Sequence, residues 1–222
     1  MVQIIAMLTM VCDHIGFAFM PQYPGYRIIG RIAMPLYAYL LAKGMTYSKK
    51  HKSEKEHIIR ILIIAVASQI PYIAFWRLHN LSLNICFGWA IAACFIYTAD
   101  KYIPEKYQPL LLPAAFLFLM QSAFEYTYLS VGYALIFWMF LIKKDLPELR
   151  YLSAIVFTTL YIIQNPSYLF IFHIGGFFLA DVFHHLEKKK KLPKIRVPKL
   201  YWQSFYPLQY LILTAVRAII EA

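Results

Sequence analysis

Asp13 and His14 fall in the middle of an apolar run, Ile4 to Met20, that has the length of a membrane-crossing helix. Arg31 follows at the start of the next apolar segment, with Arg27 four residues before it. An Asp or Arg at the centre of a spanning helix costs about 2.5–3.5 kcal/mol on insertion scales. Ionisable groups this close in sequence therefore face the interior of the protein and one another. An acid, an imidazole and a guanidinium in a low-dielectric setting are equipped for group transfer. An imidazole with an ordinary pKa near 6.5 suits a general base, and a guanidinium in a dry site suits a developing negative charge. The same groups also suit a proton relay in transport, or an Asp–Arg staple that only fixes helix packing.

The elements that must position these groups follow from composition. The chain has 222 residues, of which 61% are hydrophobic and 15% charged. A soluble domain of this length carries about a quarter charged residues. The sequence therefore predicts an all-α fold, a polytopic transmembrane helical bundle forming a single integral-membrane domain over residues 1–222. Nine spans are expected, at about 2–21, 27–47, 57–77, 81–100, 108–124, 127–143, 150–164, 167–186 and 202–219. Breaks fall at Pro21, Pro24-Gly25, Asn80, Pro104, Pro109, Pro147, Asn165-Pro166, Pro193 and Pro198. The start lacks a positive n-region and a small-residue cleavage site, so the first segment is expected to be a retained helix. Cys12, Cys86 and Cys94 have no metal-ligand spacing and read as free buried thiols. No internal repeat is visible, which weighs against the common transporter plans.

Charge sets the orientation. Four alternate loops, from Lys49–Arg60, Lys101–Lys106, Lys143–Arg150 and Lys188–Lys199, hold 17 of the 22 basic residues. By the positive-inside rule these loops are cytoplasmic and the N-terminus is inside. The net charge of +11 is then topological, with anionic lipid rather than nucleic acid as the contact of the Lys188–Lys191 run. His14 lies roughly 18 Å along its helix, just past the middle of a ~30 Å apolar core. Gln3, Met7, Met10 and His14 share one stripe, whereas Asp13 points about 100° away and pairs with Arg31 or Arg27. Gln69, Asn84, Glu125 and Tyr126 reach similar depths from other spans, and for Gln69 and Asn84 interhelical hydrogen bonding competes with a substrate role. His173 reads as a core histidine, and Asp181, His184 and His185 as interfacial. Lys43 and Arg217 read as snorkelling side chains.

Several motifs carry a resemblance. Ile4–Met10 followed by Asp13-His14-Ile15-Gly16, and then Arg27-Ile28-Ile29-Gly30-Arg31-Ile32-Ala33-Met34-Pro35, resemble the TraX family, named for the F-pilin acetylase of conjugative plasmids. Ser68-Gln69-Ile70-Pro71-Tyr72, Leu83-Asn84-Ile85 with Phe87, and Phe205-Tyr206-Pro207-Leu208 resemble its later elements, so the likeness covers almost the whole chain. The chain departs from the pattern at Lys43 and Gln69, where an acidic residue is usual, and at Gln209, where the family's closing motif has histidine. Glu125-Tyr126 stands for its Asp-Tyr.

The resemblance implies an acyltransferase of the bacterial cytoplasmic membrane, a multi-pass protein using acetyl-CoA as acyl donor. Asp13, His14 and Arg31 are the expected catalytic group. Arg27, Lys43, Lys49, Lys50 and Arg60 are expected to hold the donor, and Gln69, Asn84, Glu125, Tyr126 and Tyr206 the acceptor. That acceptor is an envelope or secreted molecule such as a pilin-like peptide amine or a sugar hydroxyl. The alternatives are a proton-coupled transporter or flippase, and a non-catalytic subunit of a pilus, conjugation or surface-polymer system.

Overall fold

The computed structural model describes residues 1–77, 82–120, 125–193, 195 and 197–221, with residue 199 described by its backbone alone. Asn80, the first residue of the fourth expected span, the end of the fifth (121–124), and Lys194 and Arg196 of the last basic loop lie outside the described residues.

The described residues are helical. They form α1 (Val2–Ala18), α2 (Pro24–Gly30), α3 (Ala33–Lys50), α4 (Glu54–Trp76), α5 (Ile85–Tyr102) and α6 (Leu111–Leu119), the last preceded by a 3-10 segment at Glu105–Leu110. Next come α7 (Thr127–Phe137), which continues as a wider π-helical turn at Trp138–Lys143, and α8 (Pro147–Gln164). A 3-10 turn at Tyr168–Ile171 then leads into α9 (Phe172–Lys188), and α10 (Lys199–Glu221) closes the chain.

One expected element is corrected. The second span is not one rod, because it bends at Arg31 and Ile32 between α2 and α3. Pro35 has no N–H to offer the Arg31 carbonyl, so the backbone ladder is broken there. The bend is packed tightly, since a Cβ on Gly176 of α9 would lie 2.8 Å from Ile32 Cα. The first part of the fifth expected span is wound as the 3-10 segment with Pro109 inside it, and α6 follows at Leu111.

At the centre stands α7, with every residue from Tyr128 to Phe137 buried, as expected of a helix apolar on all sides. Around it, α3 contributes the buried Leu36, Ala38, Tyr39 and Ala42. The outer helices expose large apolar side chains instead: Ile63, Val66 and Ile70 on α4, Leu152 and Ile155 on α8, Leu211 and Ile212 on α10. Among the described residues, Glu54–Trp76 and Tyr168–Lys188 are long and apolar enough to cross a membrane, and Val2–Ala18 and Thr127–Lys143 are apolar but shorter. These features are consistent with a membrane protein, because water-exposed surfaces rarely carry apolar bands of this extent.

Charged pairs mark the two ends of the bundle. Lys49 and Lys143 meet Asp100 at 3.0 and 3.4 Å, and Lys144 meets Glu105 at 3.1 Å. Three of the basic loops thus converge at one end. At the other end Arg77 and Arg217 both pair with Glu221.

Candidate functional site

The site is built where α1 and α2 touch. A Cβ on Gly30 would stand 2.2 Å from Asp13 Cβ and 2.6 Å from Asp13 Cα, so only glycine lets the two backbones approach this closely. That approach brings one carboxylate between two guanidiniums. Arg27 Nη1 donates to Asp13 Oδ2 at 3.0 Å and also reaches the Asp13 carbonyl at 3.3 Å. Arg31 Nη2 lies 3.4 Å from Asp13 Oδ1, and Arg31 Nη1 donates to the Tyr126 hydroxyl. Rings cover both cations: Phe17 and Trp76 lie 5.4 and 5.8 Å from Arg27, and Phe170 and Tyr126 lie 5.5 and 5.8 Å from Arg31. Asp13 and Arg31 are 6% and 4% exposed, so the pairing occurs out of water.

Glu125 closes this end. It lies in the loop before α7, its N–H donates to the Leu83 carbonyl at 2.9 Å, and its carboxylate accepts from the Ile85 N–H. Its Oε2 is buried without a partner. Burial, followed by the nearby Asp13 carboxylate, pushes the Glu125 carboxyl up to about 7, which leaves it half protonated at neutral pH. With Glu125 protonated, the group holds one carboxylate against two arginines and carries an excess positive charge.

His14 faces the opposite way, against α4 and α10. Its ring stacks among Tyr210, Phe75 and Trp76, at 4.7, 5.3 and 5.9 Å between centroids. Nε2 lies 3.3 Å from the Tyr210 hydroxyl, which in turn lies 3.4 Å from the Tyr206 hydroxyl one helical turn away. His14 and the adjacent, buried Gln209 interact through their side chains, with Nδ1 and both amide atoms just outside full hydrogen-bond geometry.

Tyr206 opens onto a cavity of about 420 Å³ enclosed by α1, α3, α4, α5 and α10. At one end stand Arg60, His57 and Tyr47, near the basic loops; at the other are Met10, Cys86 and Tyr206. The ring of His57 reaches this wall across Gly44, where a Cβ would meet it at 2.8 Å.

The structure separates the expected site residues into groups. Asp13 and Arg31 come together with Arg27 and Tyr126, and His14 joins Tyr206 through Tyr210. Gln69 and Asn84 hold each other. Gln69 Oε1 accepts from the Asn84 side-chain and backbone N–H groups at 2.8 and 3.1 Å, and Gln69 Nε2 donates to the Ser82 carbonyl. Asn84 Nδ2 also donates to the Ala65 carbonyl, and its Oδ1 caps α5 at the Cys86 N–H. This amide clasp ties α4 to α5. Of the five expected donor-binding cations, Arg60 lines the cavity. Arg27 lies at the far end on Asp13, Lys43 pairs with Glu187 at 2.6 Å, Lys49 with Asp100, and Lys50 is exposed.

Sequence reasoning passed over three residues. Tyr210 shares a face with Tyr206 at an i,i+4 spacing, a signal that was readable. Arg150 was counted as a loop cation and Asp181 as interfacial. Both are buried, Arg150 Nη2 lying 3.0 Å from Asp181 Oδ1 while Nη1 donates to Asp145 and the Phe140 carbonyl. His173 Nδ1 sits 2.9 Å from the Phe170 carbonyl and its Nε2 has no partner.

Residues 1–217 match the family model described as TraX protein. The chain belongs to the TraX family. Over 93 residues, 42% of the chain, it is also 34% identical to an uncharacterized protein of Rickettsia prowazekii (strain Madrid E). That stretch covers 34% of the relative's own length. No solved structure matches this TraX-family chain significantly.

Proposed function

We propose that this TraX-family protein is a multi-pass acyltransferase of the bacterial cytoplasmic membrane. It moves an acetyl group from acetyl-CoA to an envelope or secreted acceptor, a pilin-like peptide amine or a sugar hydroxyl, in a pilus- or conjugation-related setting. The observation that carries the reading is the cavity between Arg60 and Tyr206. Its basic end, on the side assigned to the cytoplasm, suits an anionic cytosolic donor, and its apolar length suits the uncharged arm that bears the thioester. Its inner end lies two hydroxyls from the His14 imidazole, the base for an acceptor proton. The excess cation of the Asp13 group supplies a positive field where a carbonyl oxygen gains charge in a dry site. The donor phosphates fall to Arg60 with His57. Lys43 and Lys49, already paired, contribute only if those pairs open.

The test is acetyl transfer from radiolabelled acetyl-CoA, with native membranes supplying the acceptor, by wild-type and His14→Ala protein. Label should move to a membrane component with wild type and stay on the donor with the variant. Equal labelling by the two proteins would remove His14 from the chemistry. No labelling by well-folded wild type would end the enzyme reading.

A further inference from the structure

His14 is enclosed by rings and does not line the cavity, so a base that never meets the substrate needs an intermediary. We propose that Tyr206 and Tyr210 form a hydroxyl relay joining His14 to the cavity. Tyr206 is then the group that touches the reacting atoms, and His14 works through two phenols; this rests on the acyl-transfer reading above. Three observations support it. Tyr206 lines the cavity, and His14 and Tyr210 are absent from its wall. The two hydroxyls are 3.4 Å apart and Tyr210 lies 3.3 Å from Nε2; Tyr210 here donates to Tyr206, so both hydroxyls turn toward His14 before a proton runs inward. The ring of His14 also interacts with the side-chain amide of the buried Gln209, short of full hydrogen-bond geometry at Nδ1. A small rotation of that amide lets Oε1 accept the Nδ1 proton, which leaves Nε2 free to receive one.

The step balances without another reagent. The acceptor oxygen or nitrogen forms a bond to the thioester carbonyl carbon, and the carbon–sulfur bond breaks. The acceptor proton passes to the Tyr206 oxygen as the Tyr206 proton passes to Tyr210 and the Tyr210 proton to His14 Nε2. That transfer leaves each hydroxyl pointing outward, so the proton returns along the same chain to the departing sulfur, leaving a thiol.

Tyr210→Phe removes the middle hydroxyl and keeps the ring. It should lower kcat by at least about 100-fold with the KM for acetyl-CoA unchanged, as should Tyr206→Phe. A second readout needs no turnover. In protein labelled with 15N-histidine, the His14 signals are assigned by their loss in His14→Ala, and Tyr210→Phe should shift Nε2 to the value of a ring nitrogen without a hydrogen bond. A wild-type kcat in Tyr210→Phe, or an unmoved Nε2 signal, overturns the relay while the acyltransferase reading stands. A wild-type protein without acetyl transfer overturns both.

Discussion

Two buried arginine–aspartate groups lie at opposite ends of this bundle, and their stoichiometries are reversed. At one end Asp13 serves both Arg27 and Arg31; at the other, Asp181 and Asp145 serve Arg150. In the Arg150 group a backbone carbonyl and two carboxylates face one guanidinium, the Tyr151 hydroxyl donates to Asp181, and His185 stands at its edge. The Asp13 group holds surplus positive charge while Glu125 is protonated, and on α1 it adjoins a histidine that neighbours a tyrosine pair, of which Tyr206 lines a cavity. Burial of charge alone does not distinguish a site from a strut, since each group has a buried Arg–Asp pair at its centre, Arg31 with Asp13 and Arg150 with Asp181. What distinguishes them is the balance of charge and whether a neighbouring group leads to open space.

Removing the carboxylates should break the symmetry most visibly. Asp13→Ala leaves the buried Arg31 and the partly buried Arg27 without their shared anion and is expected to cost about 3–5 kcal/mol, read as a large loss of thermal stability in detergent. Asp181→Ala leaves Arg150 with Asp145 and the Phe140 carbonyl, and the expected loss is smaller, about 1–3 kcal/mol. Equal losses would mean that stoichiometry does not matter. Conservative changes at the arginines should then split the two groups by function. Arg31→Lys removes the fork that joins Asp13 to Tyr126 and should lower kcat about 100-fold with a near-normal Tm. Arg150→Lys should lower Tm and leave turnover of the folded fraction unchanged.

Acid–base behaviour sharpens the contrast further. The Glu125 carboxyl, raised to about 7, favours the folded state fully below its ordinary value of 4.5, and that contribution disappears as pH rises through 7. Ionisation also cancels the surplus charge at Asp13, so turnover should decline above pH 7, and Glu125→Gln should remove the decline. The smallest effect belongs to Asp145, which the Arg150 guanidinium holds below the usual carboxylate range. Its contribution is present above the ordinary carboxylate pKa and is lost as pH falls through its lowered value, below about 4. Asp145 is largely exposed, so Asp145→Asn should shift only the acid end of the stability profile, and less so in high salt.

Much of the fold was legible because apolar run length and proline punctuation set helix extent. The ends of α4, α8 and α10 fall within three residues of their expected spans. The pairing of Asp13 with the arginines, and its separation from His14, followed from insertion cost and a 100° helical turn. The bend at Arg31–Ile32 was less visible. Pro35 warned of a broken ladder, but the packing of Gly176 on Ile32 joins residues 144 apart. Arg150 and Asp181 escaped for a similar reason, because a loop cation and a helix-end acid reveal their pairing only when α8 lies against α9. The capture of Lys43 by Glu187 also depends on tertiary packing, whereas Tyr210 was missed although its spacing from Tyr206 was on view.

The central claim, that the cavity receives the acyl donor beside the His14 relay, can be tested with a native thiol. Cys86 lines the cavity, and Cys12 and Cys94 can be replaced by alanine to leave it as the single thiol. The measurement is the rate of Cys86 modification by a small methanethiosulfonate reagent, with and without acetyl-CoA, in protein competent for acetyl transfer. Acetyl-CoA should slow the modification in proportion to its occupancy, and acetate should not. A rate unchanged at acetyl-CoA concentrations that saturate turnover would contradict the account.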